Sequence, residues 1–463
     1  MRGIRYATWI SAVFVFLLAS CNLNGPQDPE DAGFPHEVEN LSATAGNQAI
    51  TLTWNDPQVD EFERAEVTWT PGGADPVSVG GGSGTYSAAG LTNGTQYSFT
   101  VRAVGTDGTL SSGISVSATP VALDVFVVVG DSSAAANTLY SGDGNGAFVA
   151  NDATADANAG NAAAAADVNG DGHLDVVVTN GSAASRVYLG DGTGGFTGAD
   201  LASDADFFGI ALADFTDDGN PDVFMTTTTE DRIYLGAGDG TFDDGSDVST
   251  NTAAGTDVAV GDFDGDGNLD AFVPDNGKNV INLGNGDGSF TASGATDAAG
   301  RVSFSAEAGY LNHDDDLDVY VANFGVNRVY LGDGSGGFTV SDTGLSPVAN
   351  SRNSRGVALG DLDGDGDLDA VVANDGTANR VYLGNGDGTF GDGSDLAGGA
   401  GDSRSVTLAD FDSDGNLDAF ITNSGSEDLI YLGDGSGGFD GGSNASAATG
   451  ESMSAVVGEF DGR

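Results

Sequence analysis

Residues 35–120 contain short segments in which polar and apolar residues alternate, separated by turns rich in glycine, asparagine and aspartate. The alternation is clear in residues 49–54, 65–69 and 97–103, and it is typical of half-buried β-strands. No part of this region has helical periodicity. Several short strands at this spacing predict a small β-sandwich.

The same region resembles a fibronectin type III domain through Trp54 and the segment Leu-Thr-Asn-Gly-Thr-Gln-Tyr at 91–97. The resemblance implies that Trp54 is the core tryptophan of the second strand. It also implies that Tyr97 is structural, with its hydroxyl bonded to the backbone. Residues 104–112 contain no Arg-Gly-Asp, so the cell-adhesion tripeptide of that family is absent. We expect a spacer or a binding module without catalytic residues.

Beyond residue 121 an acidic block of the form D-x-D-x-D-G-x-x-D recurs, with variations, at intervals of 47 to 51 residues. A short apolar strand precedes each block and, in the complete units, a second apolar strand follows it. A third strand and a Gly/Asp turn ending in Phe complete the pattern, and a fourth strand is less distinct. Four strands in about 48 residues indicate a propeller blade. The blocks begin at Asp167, Asp214, Asp262, Tyr310, Asp361, Asp410 and Glu459.

The repeat region begins and ends with half a unit. Residues 123–128 match the second strand of a blade, and residues 455–461 match a first strand with the start of its loop. We predict that these halves pair as one closing blade, which leaves no open sheet edge. The alternative is a fragment whose continuation is missing. The predicted fold is therefore all-β: a seven-bladed β-propeller over 121–463 after a fibronectin type III-like sandwich over 35–120.

This array resembles the FG-GAP/VCBS repeat family, the propeller type also found in integrin α-subunits. The resemblance covers residues 121–463 and rests on the acidic block repeated at blade length. It departs from the integrin version because clear Gly-Ala-Pro segments are lacking.

The acidic blocks are candidate calcium sites. Carboxylates at positions 1, 3, 5 and 9 and a backbone carbonyl at position 7 place hard oxygen donors around one point, which suits Ca²⁺. A Gly/Asp hairpin without metal is the alternative for any single loop. The predicted ligands are Asp167, Asn169, Asp171 and Asp175; Asp214, Asp218 and Asp222; Asp262, Asp264, Asp266 and Asp270; Asp361, Asp363, Asp365 and Asp369; and Asp410, Asp412, Asp414 and Asp418.

The remaining loops have weaker ligand sets. In the second loop Thr216 is a poor ligand and Pro221 stiffens the turn, so occupancy there is doubtful. The fourth loop begins with Tyr310, so occupancy there is doubtful as well. The closing blade offers only Glu459, Asp461 and Asp124, and we expect no ion there. The ions would be structural and would fasten strand one to strand two within a blade.

The sequence offers no catalytic constellation. His36 lies in the sandwich, and His173 and His313 lie inside the acidic loops, without a Ser/His/Asp or Cys/His arrangement. One arginine recurs at an equivalent position of four repeats, which favours structural ion pairs with neighbouring Asp over an anion site. These residues are Arg186, Arg232, Arg328 and Arg380.

The N-terminus has the features of an export signal. Basic residues precede an apolar run over 6–18, which is short for a membrane span and typical of a signal peptide. Leu-Ala-Ser-Cys at 18–21 resembles the bacterial lipobox, which implies cleavage after residue 20 and lipidation of Cys21. An ordinary signal peptide with an incidental cysteine is the alternative. Residues 21–34 are predicted to be a tether.

Composition excludes further classes of function. The net charge is −56, from 70 acidic against 14 basic residues, so nucleic-acid binding is excluded by repulsion from phosphate. The single cysteine, Cys21, has no disulfide partner.

These features predict a calcium-binding, lipid-anchored protein of the bacterial cell envelope, on the outer membrane or cell surface. It would be monomeric and bind a protein or glycan through variable loops at 226–231, 274–279 and 322–327. By analogy with related propellers, a polysaccharide lyase is the alternative, and a passive surface protein is the third hypothesis.

Overall fold

The computed structural model describes residues 36–461, with gaps at 47, 60, 130–135, 155–159, 182, 203–205, 249–254, 296–300, 342–352, 399–400 and 446–449. The predicted signal peptide, Cys21 and the tether lie outside the described residues. The described chain divides into two compact units, 36–122 and 123–461. Its regular structure consists of strands, and the described part includes no helix long and apolar enough to span a membrane.

The first unit is a sandwich of two antiparallel sheets. One sheet has the order β1-β2-β5 and the other β4-β3-β6-β7. The strands are β1 (Glu39–Gly46), β2 (Ala49–Asn55), β3 (Phe62–Thr70), β4 (Gly73–Gly80), β5 (Thr85–Ala88), β6 (Tyr97–Gly105) and β7 (Ile114–Ala118).

Trp54 and Tyr97 hold this sandwich together as expected. Trp54 is buried in the core with Leu52 and Phe99, because alternate residues of each strand face the opposite sheet. The Tyr97 hydroxyl accepts a hydrogen bond from the Thr92 N–H at 3.0 Å. This is the backbone contact of a tyrosine corner.

The second unit consists of antiparallel sheets of four main strands. The first three sheets formed along the chain contain β8 (Asp124–Val129), β9 (Thr138–Gly142) and β10 (Phe148–Asp152); β11 (Gly160–Ala166), β12 (Asp175–Asn180), β13 (Ser185–Gly190) and β14 (Phe196–Ala202); and β15 (Phe207–Ala213), β16 (Asp222–Thr227), β17 (Arg232–Tyr234) and β18 (Ser246–Asp247).

The next two sheets contain β19 (Ala259–Gly261), β20 (Asp270–Val273), β22 (Val280–Gly284) and β23 (Phe290–Ala295); and β24 (Arg301–Gly309), β25 (Asp318–Asn323), β26 (Arg328–Gly332) and β27 (Phe338–Ser341), with the short β21 (Asn276–Gly277) paired to β24. The remaining strands are β28 (Asn353–Gly360), β29 (Asp369–Asp375), β30 (Arg380–Tyr382) and β31 (Ser394–Asp395); β32 (Asp402–Ala409), β33 (Asp418–Ser426), β34 (Leu429–Tyr431) and β35 (Ser443–Asn444); and β36 (Gly450–Gly458).

The last strand of the repeat region pairs with the first. β36 runs antiparallel to β8 with Gly458 opposite Asp124, so strands from the two ends of the region complete one sheet. Contacts between inner strands run from β11 through β15, β19, β24, β28 and β32 to β36, which contacts β11 again. The predicted all-β propeller and sandwich are therefore confirmed, and the ring is joined by the predicted pairing.

The second strand of each sheet lies between two neighbouring sheets, which explains its continuous apolar sequence. β12, β16 and β25 are buried at every residue, because both faces pack against adjacent sheets. Aromatic side chains fill the space between sheets. At the joint of the ring, Phe148 meets Phe411 and Phe420 edge-on, with ring centroids 5.5 and 5.7 Å apart.

Two acidic side chains meet between inner strands. Asp257 precedes β19, and its Oδ2 accepts a hydrogen bond from the Ala306 N–H of β24 at 3.2 Å. Burial raises the pKa of Asp257 to about 6. Burial and, secondarily, the charge of Asp257 raise the pKa of Glu307 to about 8. The folded protein therefore retains a proton here at neutral pH.

This proton makes stability depend on pH. The pKa of Glu307 rises on folding from its ordinary 4.5 to about 8, so the folded state binds more protons between these values and loses stability as pH rises through them. We expect the unfolding free energy of wild type to fall relative to Glu307→Gln between pH 5 and 8 and then to level off. Urea unfolding of the propeller at several pH values and a fixed saturating calcium concentration measures this free-energy difference. Glu61→Gln, at an exposed sandwich position, is the control, and a pH-independent difference for Glu307→Gln would contradict the prediction.

Candidate metal centres in the aspartate loops

The carboxylate at position 9 of each loop begins the second strand and is buried. The six side chains are 0–1% exposed, and they are Asp175, Asp222, Asp270, Asp318, Asp369 and Asp418. In each, Oδ2 accepts the N–H of loop position 2 at 2.7–2.9 Å. Oδ1 accepts the N–H of a glycine at or just beyond the end of the third strand, also at 2.7–2.9 Å. One side chain therefore ties the loop to two neighbouring segments.

This tie does not depend on a complete metal-ligand set. It occurs at Asp318 in the fourth loop, which begins with Tyr310, and Asp124 makes it in the closing sheet. The sequence pattern assigned position 9 to metal binding, whereas its contacts give it a structural role as well.

Burial raises the pKa of these carboxyls, and their backbone N–H donors oppose the effect. The pKa is about 6 for Asp175, Asp270 and Asp369, and about 7 for Asp418. Asp124 reaches about 7 through burial and, secondarily, the charge of Asp461. The charges of neighbouring loop carboxylates add to the rise, because several acidic groups lie close together in each loop.

Carboxylate oxygens converge in the three loops predicted to be complete. In each of these loops three aspartates form a close group, in which one carboxylate oxygen of each residue lies within 4.8 Å of one oxygen of the other two. The groups are Asp262, Asp264 and Asp270; Asp361, Asp363 and Asp365; and Asp410, Asp412 and Asp418. Their loops curl because glycines such as Gly265 and Gly267 adopt positive φ, 75° and 92°. The position 1 carboxylate then accepts the N–H of position 6, as Asp262 does from Gly267 at 3.0 Å.

The donor set fits a hard divalent cation. Asp410 Oδ1 is buried and has no hydrogen-bond partner among the described residues. Burial, followed by the charges of neighbouring carboxylates, raises the pKa of Asp410 and Asp412. A cation bound among these oxygens would supply the missing partner and relieve the repulsion, and the all-oxygen set suits Ca²⁺. The predicted ligands Asp266, Asp369 and Asp414 lie in the same loops, outside these close groups.

The first and second loops make the same contact between positions 1 and 6 without a close group of three carboxylates among the described residues. In the first loop, Asn169 donates from Nδ2 to Asp171 Oδ2 at 3.0 Å, and Asp167 accepts from Gly172 at 2.8 Å. In the second loop, Asp214 accepts from Gly219 at 2.7 Å, while Asp218 is exposed. The ligand assignments in these two loops stay predictions.

The fourth loop replaces both glycines of the turn. His313 and Asp315 adopt positive φ of 58° and 69°, a conformation that costs a non-glycine residue energy. His313 Nε2 lies 2.9 Å from Asp367 Oδ1 in the next loop. This histidine therefore links two loops.

Six loops, including that of the closing sheet, are also braced by the next sheet. The turn between strands three and four presents a glycine N–H to the carbonyl of loop position 2 in the preceding sheet. Gly240 donates to Val168 and Gly336 to Phe263, both at 3.0 Å. The same contact occurs at Gly146, Gly194, Gly388 and Gly437. The sequence of the Gly/Asp turn predicts a hairpin, but it did not indicate this contact between neighbouring sheets.

A second recurrent polar group lies at the opposite ends of the strands. An Asn or Asp immediately before strand three accepts an N–H at or near the end of strand two, at 2.8–3.2 Å. These residues are Asp231, Asn279, Asn327, Asn379 and Asp428. The three predicted binding loops lie at this end, and Phe324 in one of them is 54% exposed. Sequence reasoning missed this polar group, although the recurring Asn or Asp before strand three could have indicated it.

Three of the four recurrent arginines form the structural ion pairs predicted for the set. Arg186 pairs with Asp200, Arg232 with Asp247 and Arg380 with Asp395. Each guanidinium also lies over the ring of the tyrosine two residues further on. The fourth, Arg328, is buried at 7% exposure.

A ring of antiparallel sheets, each with an acidic loop between its first two strands, defines the second unit as a β-propeller. The FG-GAP-like repeat family matches six overlapping segments, 122–178, 167–225, 214–273, 262–321, 310–372 and 361–421. The chain belongs to the FG-GAP-like repeat family. The fibronectin type III domain matches residues 36–118. A comparison with curated protein sequences gave no match.

Comparison with solved structures gives matches at low sequence identity, of which the first has a TM-score above 0.5 and shares the propeller fold. An Agrocybe aegerita lectin, described for specific recognition of non-reducing terminal N-acetylglucosamine, has a TM-score of 0.55 and 19% identity, covering 73% of this chain and 95% of the lectin. AofleA from Arthrobotrys oligospora has a TM-score of 0.39 and 12% identity, covering 64% and 88%. The extracellular domain of a putative one component system from B. thetaiotaomicron has a TM-score of 0.40 and 10% identity, covering 65% and 37%.

Two substitutions in the third loop separate its structural carboxylate from its candidate metal ligands. Asp270→Asn replaces one acceptor oxygen by an N–H₂ facing an N–H, so we expect a loss of about 1–3 kcal/mol in EGTA as well as in calcium. The matched control, Asp264→Asn, changes a half-buried carboxylate of the same close group that accepts the Asp266 N–H within the loop; it should leave the melting temperature in EGTA unchanged and reduce only its rise with calcium. Equal losses for both variants in EGTA would contradict this division of roles.

Proposed function

We propose that this protein is a calcium-stabilised binding module for a glycan or a protein, exported and held at the bacterial cell envelope by lipid on Cys21. The observation that carries the calcium proposal is the convergence of carboxylate oxygens within 4.8 Å in three loops. The buried Asp410 Oδ1, unpartnered among the described residues, supports it. Such a group costs stability unless a ligand satisfies it.

The two ends of the strands support different tasks. The acidic loops fasten strands one, two and three of a sheet and contact the next sheet. The opposite end carries the predicted variable loops and the exposed Phe324. A rigid ring that presents variable turns suits ligand recognition, because function concentrates on loops held by a scaffold. We propose that this end binds the ligand and that the protein does not catalyse a reaction of the bound ligand.

The envelope location rests on the sequence at 1–21. An acylated cysteine anchors a protein through its buried methylene groups, each contributing roughly 0.8 kcal/mol. Mass spectrometry of the mature N-terminus tests this proposal. Acyl chains on Cys21 would support it, and an unmodified cysteine after ordinary signal cleavage would refute it.

Calcium removal tests the structural ions. We expect the propeller to melt at a higher temperature in calcium than in EGTA, because ligand at a hundredfold its Kd adds about 2.7 kcal/mol per site. The sandwich has no predicted site, so its own transition is an internal control, and magnesium at equal ionic strength controls for charge screening. An unchanged propeller midpoint would rule out structural calcium under these conditions.

Ligand binding is tested with glycan and protein arrays probed in calcium. We expect a reproducible ligand of one of these two classes and no released unsaturated product from polysaccharides. Turnover of a polysaccharide would replace the binding proposal by a lyase. Absence of any ligand in both arrays would favour a passive surface protein.

A further inference from the structure

The inner strands share a β-bulge near the end of the ring opposite the acidic loops. In β11, β24, β28, β32 and β36 the pairing slips by one residue at the equivalent place, which leaves one residue of each strand without an opposite partner. A bulge re-aims its extra side chain, and bulges are enriched next to functional sites. These bulge residues are Asn161, Phe304, Arg355, Arg404 and Met453.

Two neighbouring bulge residues are arginines, in a chain with only 14 basic residues. The Arg355 guanidinium lies 4.1 Å from the centre of the Phe304 ring. It donates through Nε and Nη2 to Asp375 Oδ2 at 3.1 and 2.8 Å. Stacking and paired hydrogen bonds fix its orientation.

Arg404 has spare donors. Its Nη1 lies 3.9 Å from Asp375 Oδ2, beyond hydrogen-bond distance. Among the described residues its Nε is buried without a hydrogen-bond partner, while 25% of the side chain remains exposed. A guanidinium carries five N–H donors, four of them on its two Nη atoms, so the exposed part of Arg404 can donate from Nη to a bound molecule, whereas the buried Nε does not reach it.

Phe324 lies on the same rim. Backbone pairing places Phe324 opposite Asn353, Asn353 opposite Asp375, and Asp375 opposite Asp402. Three such steps of about 5 Å put Phe324 and Asp402 on the order of 15 Å apart. This distance exceeds the length of one sugar ring. The rim between these two residues combines an exposed aromatic face, guanidinium donors and carboxylate acceptors.

We propose that this rim binds an uncharged oligosaccharide. The inference rests on the proposed binding function and chooses a glycan, not a protein, as its ligand. Phe324 would stack on the C–H face of one sugar, since the aromatic face is electron-rich. Arg404 would donate to sugar oxygens, and Asp402 would accept from hydroxyls. Arg355 and Arg404 balance the charges of Asp375 and Asp402, so the rim has no excess positive charge for an anionic sugar. The net charge of −56 repels polyanions.

The test is calorimetric titration of the full-length protein in calcium with gluco-, manno-, xylo- and chito-oligosaccharides, and with oligogalacturonate and oligomannuronate of equal length. We expect at least one uncharged oligomer to bind more tightly than either uronate. Phe324→Ala and Arg404→Gln should each weaken it about tenfold, as loss of a central contact does. Matched controls are Val149→Ala, 65% exposed on the outer strand β10, and Arg64→Gln in the sandwich. Neither control should change the affinity, and melting curves confirm that all variants are folded.

The outcomes separate this inference from the proposed function. Uncharged binding that survives both rim substitutions would overturn the site and leave the binding function standing. Tighter binding of the uronates would overturn the chemical class. A protein ligand with no saccharide binding would overturn the inference alone, whereas no ligand of either class would overturn the proposed function as well.

Discussion

The ring depends on one buried carboxylate at the start of each second strand. Asp270 illustrates it: one oxygen accepts from Phe263 in the acidic loop and the other from Gly284 at the end of strand three. Without this side chain two backbone N–H groups would be buried unpaired, at a cost comparable to two lost hydrogen bonds. The same pair of bonds holds in every sheet, so it determines where each loop lies whether or not the loop has a full set of metal ligands.

The metal loops, the sheets and the ring are coupled through this arrangement. The carbonyl of loop position 2, whose N–H bonds the buried carboxylate, accepts from a turn glycine of the next sheet. A cation among the loop carboxylates would stabilise the curl of the loop and thereby the contact between sheets. Repulsion between the loop carboxylates acts against the same curl, and it adds to burial in raising the pKa of Asp410, Asp412 and Asp418. A cation bound among these aspartates would offset both the burial and the repulsion of their charges.

Local patterns carried most of what the sequence predicted. The repeat period, the strand alternation and the segment before Tyr97 are readable because each depends on residues close in the chain. The pairing of β36 with β8 was also predictable, since each end lacked what the other supplied. The double role of Asp270 was not predictable. Its partner Gly284 lies outside the repeated acidic motif, and the motif itself does not distinguish a structural aspartate from a metal ligand. The bulge at Arg404 was hidden for a related reason: it depends on register between strands, which composition does not reveal.

The contrast between the two ends of the ring separates structure from recognition. At the loop end, position 9 is Asp in each of the six full-length loops and makes the same contacts, as a structural requirement shared by all sheets demands. At the bulge, equivalent positions hold Asn161, Phe304, Arg355, Arg404 and Met453. The fold needs none of these chemistries in particular, since the bulge forms with each of them. The backbone accepts several kinds of side chain at this position, and the side chain varies around the ring. This variation provides the asymmetry by which a pseudo-symmetric ring can bind one ligand in one orientation.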